Sequence, residues 1–413
     1  MNFSKVTLSS SNNSRLPGVL YISYDGMLEP LGRSQVVAYL QQLASGRSFC
    51  LISYEKARDL AQSARCDALK KELSSFGVKW FPLRYHKCPS LFATSWDVLV
   101  GSFVALIVAK RNGVSVVHAR GYVASVISLV VTRLTGAAFL FDMRGFWADE
   151  KLDGGWSDTS FLYRLAKYFE RKFFRHADHV VCLTNAAVPI IQSLPYLQYR
   201  TPPITVIPTC ADLERFKPNP YIVKPSVLTI GYVGTVTNWY LFAEVAACFA
   251  EIAIIKPEAR FLIVNRNEHD FIYDTLRVAG VSLSSVELVS AEYHQVPALI
   301  ARMHASVYFI KPVFSKQGSA ATKLAELLGC GVPCLTNSGV GDVDQIFAGE
   351  RIGIVIRSLD RARLISGVNK LLELVDDPET SNRCVSVASK YFSLVEGAKR
   401  YMRIYEGLDS LRV

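Results

Sequence analysis

The stretch Gly318-Ser-Ala-Ala-Thr-Lys-Leu-Ala-Glu-Leu-Leu-Gly-Cys-Gly-Val-Pro333 is the most informative in the chain. At about 100° per residue, Leu324, Leu327 and Leu328 share one helix face, while Lys323 and Glu326, three apart, share another. The Gly331-Val-Pro333 turn ends that helix and leads into a strand at 333–336. Small residues from Gly318 to Ala321 precede the helix, leaving its first backbone N–H groups and positive dipole end open. An anion suits such an end, and phosphate is the usual one. Lys323 adds a positive charge one turn in, and Glu326 offers an acceptor for vicinal hydroxyls, as a diphosphate beside a ribose requires. Spacing alone fits a surface helix with an ordinary ion pair equally well.

Outward from this helix–turn–strand unit the same alternation repeats. In the first half, strands are expected at 19–23, 49–53, 78–81, 114–117, 138–141 and 179–183, separated by helices that include 95–111, 121–134 and 160–175. Residues 143–157 read as a polar loop. Six prolines from 195 to 220, another at 225, and little periodicity mark 195–226 as an interdomain linker. A second series follows, with strands at 228–233, 260–264, 285–288, 305–310, 333–336 and 353–356. Repeated β-α-β units predict an α/β protein with two Rossmann-like, doubly wound domains facing each other across a cleft. The expected division is a flexible N-terminus over 1–17, a first domain over 18–194, the linker, a second domain over 227–379, and a last helix over 380–413. Tyr401, Ile404, Tyr405 and Leu408 give that helix an apolar stripe suited to packing back on the first domain.

Bulk composition agrees. A chain of 413 residues, half of them apolar, exceeds the size at which one core stops growing. Its formal charge of +10 favours anionic partners. Runs of five basic residues and aromatic-interleaved basic motifs are absent, which argues against nucleic acid. The nine cysteines are scattered without a CxxC pair, so reduced thiols are expected, and no metal site. The first 17 residues lack the apolar core of a signal peptide. The longest apolar run, 98–109, is too short to span a bilayer. A cytoplasmic protein is expected.

Several separated pieces, in order, resemble a glycosyltransferase of the family 4 type with GT-B architecture. They are Asp25-Gly-Met with Pro30-Leu-Gly-Arg-Ser-Gln35, Val117-His-Ala-Arg-Gly121, Asp142-Met-Arg-Gly-Phe-Trp-Ala-Asp-Glu150, Val206-Ile-Pro-Thr-Cys-Ala-Asp-Leu213 with Phe216, Gly231-Tyr-Val-Gly-Thr235, Phe309-Ile-Lys-Pro312, and the opening stretch through Gly341-Asp342. The variants resemble the branch found in bacterial cell-surface polysaccharide clusters. The resemblance implies transfer of a sugar from a nucleotide diphosphate donor to a glycan or lipid-diphosphate-linked acceptor, with retention and without a metal or other cofactor. The nucleotide would sit on the second domain and the acceptor mainly on the first. Glu326 matches the second glutamate of the family's Glu-x7-Glu element, which holds the ribose. Eight residues earlier stands Gly318, so the sugar-contacting carboxylate is missing.

On this reading Lys323 meets the diphosphate, where leaving-group charge develops. Gly234 and Thr235 follow a strand and open a helix, so they offer phosphate contacts too; a tight turn explains the glycine nearly as well. Lys311 and Lys316 bracket the loop before Ser319, Ala320 and Thr322, and are either phosphate ligands or solvated rim lysines. Gly32 and Arg33 lead into the helix through Leu43, where close backbone approach to a ligand is expected; Ser34 suits an N-cap. Asp25, Asp142 and Arg144, all after strands, are the candidate catalytic groups in the first domain. A histidine the family often places near Asp142 is absent. His118 reads as structural, and Asp342 as an N-cap. Helix 161–177 combines aromatic and basic residues that fit an anionic membrane, or equally a helix docked on the sheet with its charges in water. A sugar-nucleotide epimerase and a non-catalytic binding subunit are the rival readings.

Overall fold

The computed structural model describes residues 18–411; the N-terminus expected to be flexible lies outside them. Seven parallel strands form the first sheet: β1 (Gly18–Ser23), β2 (Phe49–Glu55), β3 (Val78–Arg84), β4 (Val114–Arg120), β5 (Ala138–Asp142), β6 (His179–Cys182) and β7 (Ile204–Val206). Their order is β3-β2-β1-β4-β5-β6-β7. The second sheet, also parallel, contains β8 (Thr229–Val233), β9 (Arg260–Val264), β10 (Val286–Val289), β11 (Ala305–Val307), β12 (Cys334–Asn337) and β13 (Gly353–Ile356), ordered β10-β9-β8-β11-β12-β13. Central strands such as β1, β2, β5 and β8 are buried along their whole length because helices cover both faces. Strand order reverses between β1 and β4 in one sheet and between β8 and β11 in the other. Those two switch points are where such sheets bind ligands.

Four elements differ from the sequence expectation. β7 lies inside the predicted linker; it is only three residues long and pairs with β6. A helix, Trp147–Asp153, occupies the predicted loop 143–157. The helix expected at 95–111 starts at Ser90, reaches 22 residues, and is long and apolar enough to cross a membrane. The C-terminal helix is two helices, Thr380–Phe392 and Leu394–Ser410, divided at Ser393, whose hydroxyl accepts from the Glu396 amide. The first packs Cys384, Val387 and Ala388 into the second-domain core. The second lays Tyr401, Ile404, Tyr405 and Leu408 against Val19, Tyr21 and Val116 of the first sheet. Full burial of an aliphatic side chain such as Ile404 or Leu408 contributes roughly 1.5–3 kcal/mol, so the last helix fastens the two domains firmly.

Candidate active site

The carboxyl ends of both sheets open on a cleft of about 860 Å³. Residues 28–31, Ser34 and several residues between 56 and 65 form its first-domain wall; Gly234, Thr235, the 264–268 turn, residues between 290 and 296, Thr322 and Glu326 form the other. A smaller pocket of about 270 Å³, lined by Arg33, Arg65, Arg266 and Tyr293, adjoins it.

Two ionisable residues project from the helix Thr322–Gly329 at the second switch point. Lys323 is buried, and its Nζ has no hydrogen-bond partner. It sits among three tyrosine rings, 4.2 Å from the centroid of Tyr232, 3.8 Å from Tyr240 and 5.6 Å from Tyr308. Aromatic faces stabilise an ammonium without a counter-ion. Burial nonetheless lowers its pKa to about 7. Burial raises Glu326 to about 8, against the pull of Lys323. Gly234, with φ of +100°, keeps the β8 loop close to the amine: a Cβ there would lie 3.5 Å from Lys323 Nζ. The pair is poised to change charge near neutrality when an anion arrives.

Glu268, which sequence reasoning missed, holds that loop. It accepts from the Val236 amide (3.0 Å), from Asn265 Nδ2 (2.7 Å) and from the Thr237 hydroxyl. Asn265 also donates to the Gly234 carbonyl at 3.0 Å. Burial alone would raise Glu268; hydrogen bonds from Thr237, Asn265 and Val236 hold it below the usual carboxylate range. The available signal was Asn265-x-x-Glu268 directly after β9, an Asx turn in which Asn265 Oδ1 accepts from the Asn267 amide at 3.1 Å and also from the Glu268 amide at 2.8 Å.

Residues 36–210 match the family model described as a glycosyl transferase 4-like domain. Among solved structures, sucrose-phosphate synthase from Thermosynechococcus elongatus superposes with a TM-score of 0.73 at 13% identity, covering 96% of this chain and 100% of that one. A glycosyltransferase from Rickettsia africae gives 0.68 at 13% identity over 95% and 98%. HepE of Anabaena, solved with UDP and glucose, gives 0.68 at 14% identity over 95% and 100%. No curated protein sequence matches the chain significantly. Residues 36–210 thus match a glycosyl transferase 4-like domain, and the chain as a whole has the GT-B fold of these structures.

In the first domain of this GT-B protein, Asp25 stands at the β1 end, partly exposed, and is ion-paired with Arg120 at the β4 end. The pair sits at the first switch point; Arg120 Nη1 makes the bond, and the buried Nε has no partner. Asp142 does not fit a catalytic role. It is buried beneath the last helix, accepting from Tyr401 Oη at 2.9 Å, with His118 Nε2 3.4 Å away. His118 in turn meets Tyr405 Oη at 2.7 Å, so both side chains secure the last helix to β4 and β5. Burial would raise Asp142, but Arg144 and His118 keep it below its ordinary value. Arg144 is turned inward, 3.9 Å from Asp142, and does not line the cleft.

Other expected ligands are otherwise engaged. Gly32 is required by packing, since a Cβ there would lie 2.1 Å from the Gly26 carbonyl oxygen; it faces no ligand space. Arg33 pairs with Glu72 at 2.7 Å on the side pocket. Ser34 is no N-cap, because the helical run begins at Pro30. Lys316 is neither phosphate ligand nor rim lysine: it is buried, 3.2 Å from Glu150 and 4.0 Å over the Trp239 ring, across the domain boundary. Lys311 is exposed and lies outside the cleft lining. The Ser319 amide donates to Lys316 O and so is not free for phosphate, while the Ala320 carbonyl accepts from the Thr209 hydroxyl. Thr322 does line the cleft, at the start of its helix.

The departure at Gly318 has a steric cause. A Cβ there would lie 2.8 Å from the Phe146 ring, whose partner across the boundary is Phe314 at 5.6 Å. The space the family's carboxylate would need is filled from the first domain. Asp342 does not cap its own helix; it accepts from the Asn185 and Ala186 amides at 2.7 and 2.9 Å, capping a first-domain helix, Ala187–Gln192.

Proposed function

We propose that this protein transfers a sugar from a nucleoside diphosphate donor to a hydroxyl of a glycan or lipid-linked acceptor, with retention and without a metal, as a hexosyltransferase of cell-surface polysaccharide synthesis. The observation that carries the reading is Lys323: a buried amine lacking a hydrogen-bond partner, directly behind Gly234, where Gly234, Thr235, Thr322 and Glu326 line the cleft between the two sheets. Burying an uncompensated cation is costly unless a partner arrives. A diphosphate supplies that partner, and the open amides of the helix share its charge. Glu326, on the cleft wall, takes the ribose hydroxyls. UDP is the first nucleotide to test, because HepE is described in complex with UDP and with UDP-glucose.

Departure of the diphosphate places developing negative charge on the leaving oxygen, and Lys323 with the helix dipole stabilises it. Asp25, restrained by Arg120 at the opposite switch point, is placed to accept a hydrogen bond from the acceptor hydroxyl. Among the described residues no cluster of three or more His, Cys, Asp and Glu side chains is suited to a metal, and the cationic groups above take the neutralising role. A cytoplasmic location, at the inner face of the membrane, fits such a donor. Purified protein given nucleotide-sugar and acceptor should release nucleoside diphosphate, and Glu326→Ala should reduce turnover at least tenfold. Unchanged turnover in Glu326→Ala would exclude this site.

A further inference from the structure

The helix Ser90–Arg111 leaves Phe92, Trp96, Leu99 and Phe103 exposed at 76, 57, 62 and 66%. Their 4-3-4 spacing draws one continuous apolar stripe along a single helix face. The opposite face is fixed to the body. Asp97 is buried, accepting from Tyr24 Oη at 2.8 Å and from the His86 amide at 3.1 Å. Gly101 abuts the Tyr54 hydroxyl. A helix so anchored cannot turn to span a bilayer without breaking these contacts, although its length and composition would allow a span.

The neighbouring helices on the same side of the sheet continue the pattern. Tyr122–Thr135 packs against Ser90–Arg111, and Phe161–His176 packs against Tyr122–Thr135. They expose Leu134, Phe161, Leu162 and Tyr168. Six exposed cations flank the apolar residues: Lys110, Arg111, Arg133, Arg164, Arg171 and Arg175. The three helices contain only two acids, Asp97 and Glu170, and both are buried. A surface for a second copy of this +10 chain would bring those cations against one another. Apolar insertion with cations and no exposed acid fits negatively charged lipid headgroups instead.

We infer that this three-helix face is a docking surface for an anionic bilayer, with the Ser90–Arg111 helix lying in the plane of the interface and inserting Phe92, Trp96, Leu99 and Phe103. The inference rests on the proposed function in that it brings a lipid-linked acceptor to the first domain. Donor binding is independent of it.

Flotation with vesicles of phosphatidylglycerol and phosphatidylcholine, against phosphatidylcholine alone, tests the assignment. The full chain should float with the anionic vesicles, weakly with the neutral ones, and less as salt approaches ~0.5 M. Combined Phe92→Gln, Trp96→Gln, Leu99→Gln and Phe103→Gln should reduce flotation at least tenfold while nucleoside diphosphate binding stays unchanged. Should that variant fold poorly, the unaltered protein provides the readout: brominated acyl chains should quench emission that Trp96→Phe removes. Flotation unaffected by the four substitutions, absence of Trp96 quenching, or a dimer in solution that the variant dissociates would each overturn the inference. Loss of nucleotide binding by the unaltered protein would instead count against the donor site.

Discussion

Lys323 is held by geometry at a cost to stability. Its amine gives up hydration and finds only tyrosine faces, so the folded state binds its proton less tightly than the unfolded chain does. The lysine's contribution to stability therefore rises with pH between about 7 and the ordinary lysine value of 10.5. Lys323→Met should raise the melting temperature most below pH 7 and progressively less towards pH 10.5, while weakening nucleoside diphosphate binding by roughly 10- to 100-fold, the worth of a charge-assisted contact. Calorimetric scans across that range check the first half, and titration the second. A bound diphosphate retains the ammonium form, so affinity should fall as pH rises above about 7, by up to tenfold per unit. Glu326 loses its proton near pH 8 and opposes that fall, and Glu326→Gln isolates the lysine's share. The roles of both residues were suggested by their i,i+3 spacing and flanking turn. Their burial was not, because the rings of Tyr232, Tyr240 and Tyr308 around Lys323 come from separate elements. Asp142 was misread for the same reason: a carboxylate after a strand looks available until Tyr401, 259 residues away, covers it.

At the scale of elements, strand periodicity located both sheets, because strands buried on both faces read as near-continuous apolar runs. What sequence missed was short or made elsewhere. β7 is a three-residue strand among prolines, and the helix Trp147–Asp153 has too few turns to show a period. Residues 318–321 read as a phosphate loop from their small side chains. The residues just before them fasten the domain boundary: the Ser315 amide donates to Asp153 at 2.9 Å, Gln317 O accepts from Thr184 at 2.7 Å, and Lys316 meets Glu150. Asp342 completes this fastening by capping a helix of the other domain. Asp342→Ala should cost about 1 kcal/mol, as loss of a cap does. It should also widen the cleft, seen as a larger radius of gyration by small-angle scattering. Gly318→Glu should act through the same boundary: its side chain meets Phe146, so the domains should part and turnover should fall rather than rise, despite restoring the family's residue.

For the whole molecule, two doubly wound sheets meet with their switch points facing one cleft, and the last helix returns to bind the first sheet. The β-α alternation implied that plan, and the ordered family motifs implied which half holds the nucleotide. The closed boundary could not be read from the chain, since each contact joins residues more than 100 positions apart. The account stands on a donor site formed by Gly234, Thr235, Lys323 and Glu326. Thermal unfolding with a panel of nucleoside diphosphates tests it directly. At 100 times Kd a ligand stabilises the fold by about 2.7 kcal/mol, so one of UDP, GDP, ADP, CDP or dTDP should raise the melting temperature of the unaltered protein. The same ligand should give a clearly smaller rise with Lys323→Ala or Glu326→Ala. No shift with any of them, or an equal shift in both variants, would contradict the account.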